Sequence, residues 1–235
     1  MDIQPYIQFD QELLLKINGS NSLFWDGFMW MSTNMLTWMP LVVVLLYVIF
    51  KNNKIKEALL FIGLLALVIL LSDQISSGFC KPFFARFRPT QDPELMYQID
   101  IVNGYRGGMY GFTSSHAANT FGVAIFLSLV IRSCSLSIIL FIWATLNAYT
   151  RMYLGVHYPG DILFGILTGL SVGTLVYLLY GYLQKKLLVQ PSYISNQYTA
   201  SGYLKADIRL ALTVFILTFF YIIIGGMIKT HISYF

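Results

Sequence analysis

Charge is scarce in this chain: 11% of its 235 residues are Asp, Glu, Lys or Arg, against about 25% in a soluble domain. Cysteine is scarcer still, with Cys80 and Cys134 too few for a disulfide framework. Histidines number 3, and no Glu or Cys cluster shows metal-ligand spacing. These shortages exclude a disulfide-stapled secreted module and most soluble enzymes. A disordered tail is excluded by what is abundant, since 57% of residues are AVILMFWYC and the mean hydropathy is +0.65. Lipid is the expected solvent for most of this surface. The net charge of +4 does not point to nucleic acid, because the cations sit between long apolar runs instead of clustering on a watery face.

About 20 apolar residues cross a hydrocarbon core of about 30 Å. Six windows qualify, at about 28–50, 58–79, 114–131, 136–153, 161–183 and 208–228. Backbone amides in lipid must be satisfied within their own segment, and the runs show no two-residue alternation, so helices are expected. The expected fold is an all-α integral membrane protein, one domain over residues 1–235, with six transmembrane helices. A short interfacial helix at about 8–18 precedes them, where leucines mix with charges before Asn18-Gly19. Its pattern is that of an ordinary amphipathic lead-in. The N-terminus has no convincing signal cleavage site, so the first span is expected to stay in place. Gly165, Gly169 and Gly173 share one face of the fifth window, which suits close helix packing.

Cations set the expected orientation. Lys51, Lys54, Lys56, Arg132, Lys185, Lys186, Lys205 and Arg209 collect on one side; Lys16, Lys81, Arg86, Arg88, Arg106, Arg151 and Lys229 collect on the other. Setting aside Lys81, Arg88 and Arg151 as site residues makes the first side the richer one, hence cytoplasmic. Both termini then lie outside, and Cys80 and Cys134 fall on opposite faces.

Ionisable side chains at membrane depth are costly, so their positions are informative. Three groups stand at window ends on one side. The first is Lys81-Pro-Phe-Phe-Ala-Arg-Phe-Arg88-Pro89, whose spacing puts Lys81 and Arg88 on one face if it is helical. The second is Thr113-Ser114-Ser115-His116, where hydroxyls suit a helix N-cap and free amides suit an anion. The third runs from Arg151 to His157 and Asp161, the last two spaced for a carboxylate to orient an imidazole. Together they describe a phosphate site without metal or cofactor: cations and amides for the oxygens, two histidines for nucleophile and acid. Asp73 could pair with Lys81 or bond within the bundle. The loop within 90–112 could cover the site, and His231 reads as a surface residue.

The run Lys81…Arg88-Pro89, Ser114-Ser115-His116, Arg151…His157…Asp161 resembles the three-part signature of the type 2 phosphatidic acid phosphatase superfamily, in its membrane branch. Two positions depart from the pattern: Ser115 stands where that family usually has Gly, and Thr150 where it usually has Ser. The resemblance implies that His157 attacks phosphorus with Asp161 holding its other nitrogen. It implies that His116 protonates the leaving oxygen, and that Lys81, Arg88, Ser114, Ser115 and Arg151 bind the phosphoryl group. The expected protein is a metal-independent lipid phosphate or diphosphate phosphatase of a bacterial cytoplasmic membrane, with its active-site loops at about 80–116 and 150–161 on the extracytoplasmic side. Undecaprenyl diphosphate or phosphatidylglycerol phosphate is the first expectation for the substrate, and a lipid A phosphatase is the alternative. An anion transporter is disfavoured by the absence of a repeat and by ionisable groups at helix ends instead of the midplane.

Overall fold

The computed structural model describes residues 3–187 and 196–232. Among these, the regular elements are helical, and extended backbone pairs only at two isolated bridges, Phe87 with Tyr110 and Tyr198 with Leu204. The helices are α1 (Gln4–Ile17), α2 (Leu23–Thr33), α3 (Met39–Asn52), α4 (Ile55–Asp73), a short α5 (Lys81–Phe84), α6 (Ser115–Ile131), α7 (Cys134–Tyr153), α8 (Pro159–Leu187) and α9 (Lys205–Ile232). A π-helical stretch, Gln74–Cys80, joins α4 to α5 without a break. The side chains of Lys229 and His231, and residues 191–195 of the Tyr/Ser-rich stretch 191–203, lie outside the described residues.

The expectation of six transmembrane helices is not met. Among the described residues, four helical stretches are long and apolar enough to cross a membrane: Met35–Asn52, Ile55–Phe84, Pro159–Lys186 and Lys205–Ile228. The first expected window, 28–50, is interrupted at Asn34, whose ψ of 123° leaves the helix. Its side chain then accepts from the Leu36 amide at 3.0 Å and starts a 3-10 turn, Met35–Trp38. A short amide side chain thus competes with the helical ladder and splits α2 from the crossing. α6 has 17 residues, about 26 Å at 1.5 Å per residue, and α7 places Asn147, Thr150 and Arg151 in its last turns. Both helices pack against several others, α6 between α4, α7 and α8. A helix enclosed by protein need not match the lipid in length or polarity, and apolar runs alone do not reveal that enclosure.

The glycine face of α8 lies against α6. A Cβ on Gly165 would stand 2.5 Å from the Ser114 carbonyl oxygen, and Cβ atoms on Gly169 and Gly173 would collide with the Ala118 and Gly122 carbonyls. These contacts bring the N-termini of α6 and α8 side by side, and the Ser114 amide donates to the Asp161 carbonyl at 3.1 Å. The core around them is apolar and aromatic, with Phe61 edge-on to Phe126 and Trp38 stacked on Phe215.

Polar clusters occupy the two ends of the bundle. At one end Lys51 pairs with Asp207 at 2.7 Å, Asn52 donates to the same carboxylate, and Arg132 reaches the Tyr177 hydroxyl. Asp207 is buried here while Lys51 reaches toward solvent, so the pair ties α3 to the start of α9. Cys134 is exposed at this end, Cys80 is half-buried at the other, and both are free thiols.

Candidate active site

The other end gathers all three sequence groups. The peptide 81–88 is not two turns of helix, as its spacing allowed. α5 ends at Phe84, Ala85 takes a left-handed conformation (φ 46°), and Arg88 is extended. Pro89 disfavours helical backbone at the residue before it, so Lys81 and Arg88 reach the site by different routes. Lys81 arrives from the π-helical stretch. Its Nζ donates to Ser77 Oγ at 2.8 Å and to Ser115 Oγ at 3.1 Å. Ser77 in turn donates to Asp73 at 3.1 Å, so Asp73 acts on Lys81 through a hydroxyl.

Arg88 is threaded between loop and helix junction. Its Nε donates to the Tyr110 carbonyl, its Nη1 to the Val156 carbonyl, and the same Nη1 lies 3.1 Å from His157 Nε2. A guanidinium only donates, so Nε2 must accept and the neutral ring carries its proton on Nδ1. Nδ1 faces Asp161 Oδ2 at 3.4 Å. His157 is 1% exposed and Asp161 0%. Burial, followed by the charges of Arg88, Arg151 and Lys81, holds the imidazole well below its ordinary pKa and hence neutral. Burial and the neighbouring Arg151 also lower Arg88 from its ordinary value, although a guanidinium remains charged.

The Asp161 carboxylate is fully engaged. Oδ2 also accepts from the Tyr158 amide at 3.0 Å, and Oδ1 accepts from Arg86 Nη1 at 2.9 Å. A Cβ on Gly111 would lie 3.0 Å from that Oδ2 and 3.2 Å from Arg88 Cγ, so any larger residue here would press on both side chains.

Ser114 caps α6, its Oγ accepting from the Ala117 amide at 3.4 Å. His116 sits in the first turn of α6, where burial, followed by the charges of Arg151, His157, Arg88 and Lys81, pushes its pKa down to about 3. Arg151, 3% exposed, donates Nη1 to Thr33 and Nη2 to the Tyr105 hydroxyl. Its Nε is buried without a hydrogen-bond partner. Every site residue expected from the sequence thus lies at this end. Among the described residues, no three His, Cys, Asp or Glu side chains gather as a metal ion requires.

Sequence reasoning missed Arg86, treated as an ordinary cation, and Asp10, placed in a lead-in helix. Arg86 Nη2 pairs with Asp10 at 2.7 Å, and its guanidinium lies 4.0 Å over the Tyr158 ring. Burial lowers the Arg86 pKa, but Asp161 and Asp10 outweigh it and the net shift is upward. The sequence held one signal: Asp10, Leu14 and Asn18 recur every four residues and line one face.

The 90–112 loop is docked. Asn18 and Asp100 exchange two hydrogen bonds, Thr90 and Arg106 exchange two more, and Leu95 and Ile99 pack on Leu14 and Tyr158.

The model of the PAP2 superfamily matches residues 57–185, a stretch that contains every motif above but not Asp10. A lipid A 4'-phosphatase of Bacteroides thetaiotaomicron is 45% identical over 170 residues, covering 72% of this chain and 75% of that protein. One from Porphyromonas gingivalis is 38% identical over 182 residues, covering 77% of each. Among solved structures, Aquifex aeolicus LpxE superposes with a TM-score of 0.54 at 26% identity, over 70% of this chain and 92% of that one. A PAP2-type phosphatidylglycerolphosphate phosphatase from Bacillus subtilis shares the fold, with a TM-score of 0.52 at 21% identity over 79% and 87% of the two chains. The neutral histidine, the cations around it and the four apolar crossings therefore sit in a recognised frame: this chain belongs to the PAP2 superfamily, in its membrane lipid phosphatase branch, and is a multi-pass membrane hydrolase of lipid phosphates.

Proposed function

We propose that this protein removes a phosphate from lipid A at the outer face of the bacterial inner membrane, without metal, through a phosphohistidine at His157. The substrate reading rests on the lipid A 4'-phosphatases that match most of the chain. It replaces undecaprenyl diphosphate and phosphatidylglycerol phosphate as the preferred reading. The observation that carries the mechanism is the Nε2 of His157, buried, unprotonated and ringed by cations.

His157 Nε2 attacks phosphorus as the ester P–O bond breaks, and the Nδ1 proton stays on the ring, held toward Asp161. His116, neutral in the empty site, takes up a proton against the negative charge of the bound phosphate and gives it to the leaving sugar oxygen. It then takes one from the water that attacks phosphorus as the P–N bond breaks, releasing inorganic phosphate and restoring His157. Lys81, Arg88 and Arg151 hold the phosphoryl oxygens with the amides and hydroxyls of Ser114 and Ser115 at the α6 N-terminus. Charge fixed in place before the reaction lowers the barrier more than charge that must reorganise. In the empty site Arg88 Nη1 occupies the Nε2 lone pair, so phosphate binding must draw that donor onto a phosphoryl oxygen before Nε2 can reach phosphorus. The acyl chains remain in lipid beside the apolar helices.

The test is incubation of the purified protein in detergent with EDTA and lipid A, phosphatidylglycerol phosphate or undecaprenyl diphosphate. Phosphate release and mass spectra of the lipid give the result. Loss of one phosphate from lipid A at the highest kcat/KM is expected. A preference for either other lipid would overturn the substrate reading, and full activity of His157→Ala would overturn the mechanism.

A further inference from the structure

Asp10 stands far outside the three motifs and outside the matched region, yet its carboxylate is fully committed at the site. Oδ2 accepts from Arg86 Nη2 at 2.7 Å, and Oδ1 accepts from the Gly160 amide at 2.7 Å. Gly160 is in the first turn of α8, where amides lack an intrahelical acceptor. Asp10 therefore caps α8 from another helix, one residue before Asp161.

The two carboxylates share one guanidinium. Arg86 bonds Asp161 with Nη1 and Asp10 with Nη2, and Tyr158 supports its face. Arg86 alone would draw the Asp161 charge away from the imidazole. With Asp10 on its far side, the Asp10–Arg86–Asp161 set keeps a net charge of one carboxylate, and His157 Nδ1 meets an anion. Burial makes this balance consequential, since Asp161 is 0% exposed and Asp10 only partly exposed.

α1 is held in the register this requires. Leu14, one turn after Asp10, is fully buried against Leu95, Ile99 and Tyr158. Asn18, one turn further, bonds the Tyr153 and Asp100 carbonyls, and the Gly19 amide donates to Tyr153. One helix face thus carries a charge contact, an apolar anchor and a terminal clamp.

From this juxtaposition we infer that Asp10 and Arg86 are positioning residues for the reaction: the N-terminal helix α1 completes the active site by fixing Asp161 against His157. The inference rests on the reading of His157 as nucleophile.

The test is steady-state kinetics with phosphohistidine trapping on Asp10→Asn, Asp10→Ala, Arg86→Gln, the double variant Asp10→Asn/Arg86→Gln, His157→Ala and the exposed control Glu12→Gln. Asp10→Asn, nearly the same shape, should lower kcat on the order of tenfold, the range for groups that orient an active side chain, with KM within about twofold. The double variant should be no slower than Arg86→Gln, because both act through one contact. Glu12→Gln should keep wild-type kcat. Full kcat in Asp10→Asn and Asp10→Ala, or losses that multiply in the double variant, would overturn the inference. So would a change confined to KM or to thermal stability. If His157→Ala stays active, the nucleophile reading fails instead, which separates the two outcomes.

Discussion

Arg88 Nη1 and His157 Nε2 lie 3.1 Å apart, a donor that cannot lose its proton facing a ring nitrogen that must therefore accept. This contact fixes the imidazole tautomer from one side as Asp161 fixes it from the other. It also leaves the Nε2 lone pair unprotonated, held by Arg88 until a phosphoryl oxygen takes that donor. A catalyst for phosphoryl transfer requires both properties at one atom.

Replacing Arg88 with Lys should therefore be costly. Lys cannot reach two carbonyls and an imidazole with a planar fork. A loss of about 100-fold or more in kcat/KM is expected, in the range for removing a preorganised charge donor. Kinetics on a soluble phosphomonoester check it, and a loss under about threefold would contradict the geometry.

Stability should depend on pH through His157. Its folded pKa lies well below the ordinary value, which is about 6.5 in an unfolded chain. Between those two values only the unfolded chain takes up the proton. The contribution is thus fully present above about pH 6.5 and is lost as pH falls toward the folded value. Thermal melts in detergent between about pH 7.5 and 5 should show a falling midpoint, with a shallower fall in His157→Gln. Identical slopes would mean that the ring is not held neutral.

Leu14→Ala should loosen the N-terminal helix. Truncating a fully buried leucine costs about 2–5 kcal/mol, and Leu14 is 0% exposed. A lower melting temperature and faster proteolysis within residues 90–112 are expected. An unchanged melt would show that α1 does not anchor the loop.

Gly169→Ala should impair folding. The added methyl meets the Ala118 carbonyl oxygen and stands 2.9 Å from the Gly122 amide nitrogen, backbone atoms that cannot rotate aside. Overpacking of this kind costs about 1–3 kcal/mol. Yield and monodispersity in detergent measure it. Gly181→Ala, with nothing within 4 Å of the new methyl, serves as the comparison.

Orientation can be read with thiol labelling. Cys134 is exposed at the end opposite the site, and Tyr97 is exposed on the site's loop. A membrane-impermeant maleimide on whole spheroplasts should label Tyr97→Cys and spare Cys134 until the membrane is opened. The reverse pattern would put the site in the cytoplasm.

The residues that touch phosphate in the proposed mechanism were legible because their chemistry is carried by side-chain type at short spacing. His157 and Asp161 are one helical turn apart, and Ser114 caps whatever helix follows it. Apolar run length likewise marked the four crossings, since the cost of an unsatisfied amide in lipid is local to each segment. The number of crossings was not legible, because it depends on what encloses α6 and α7 and on Asn34 diverting its own backbone. Lys81 and Arg88 reach the same end of the bundle but not along one helix face, since Ala85 and Pro89 turn the chain between them.

Asp10 and Arg86 mark the boundary most clearly. Nothing local distinguishes Asp10 from a solvent-facing acid on an amphipathic helix, nor Arg86 from a cation at a membrane surface. Their roles exist only when α1 docks beside α8, about 150 residues away in sequence, a distance over which pairing follows from packing and not from local pattern. The sequence by itself determined the solvent and the family, because apolar content and the spacing of a few ionisable groups are carried by side-chain chemistry alone. Only the tertiary structure decided which charges balance one another, because a buried carboxylate takes its properties from whatever the fold brings to its oxygens.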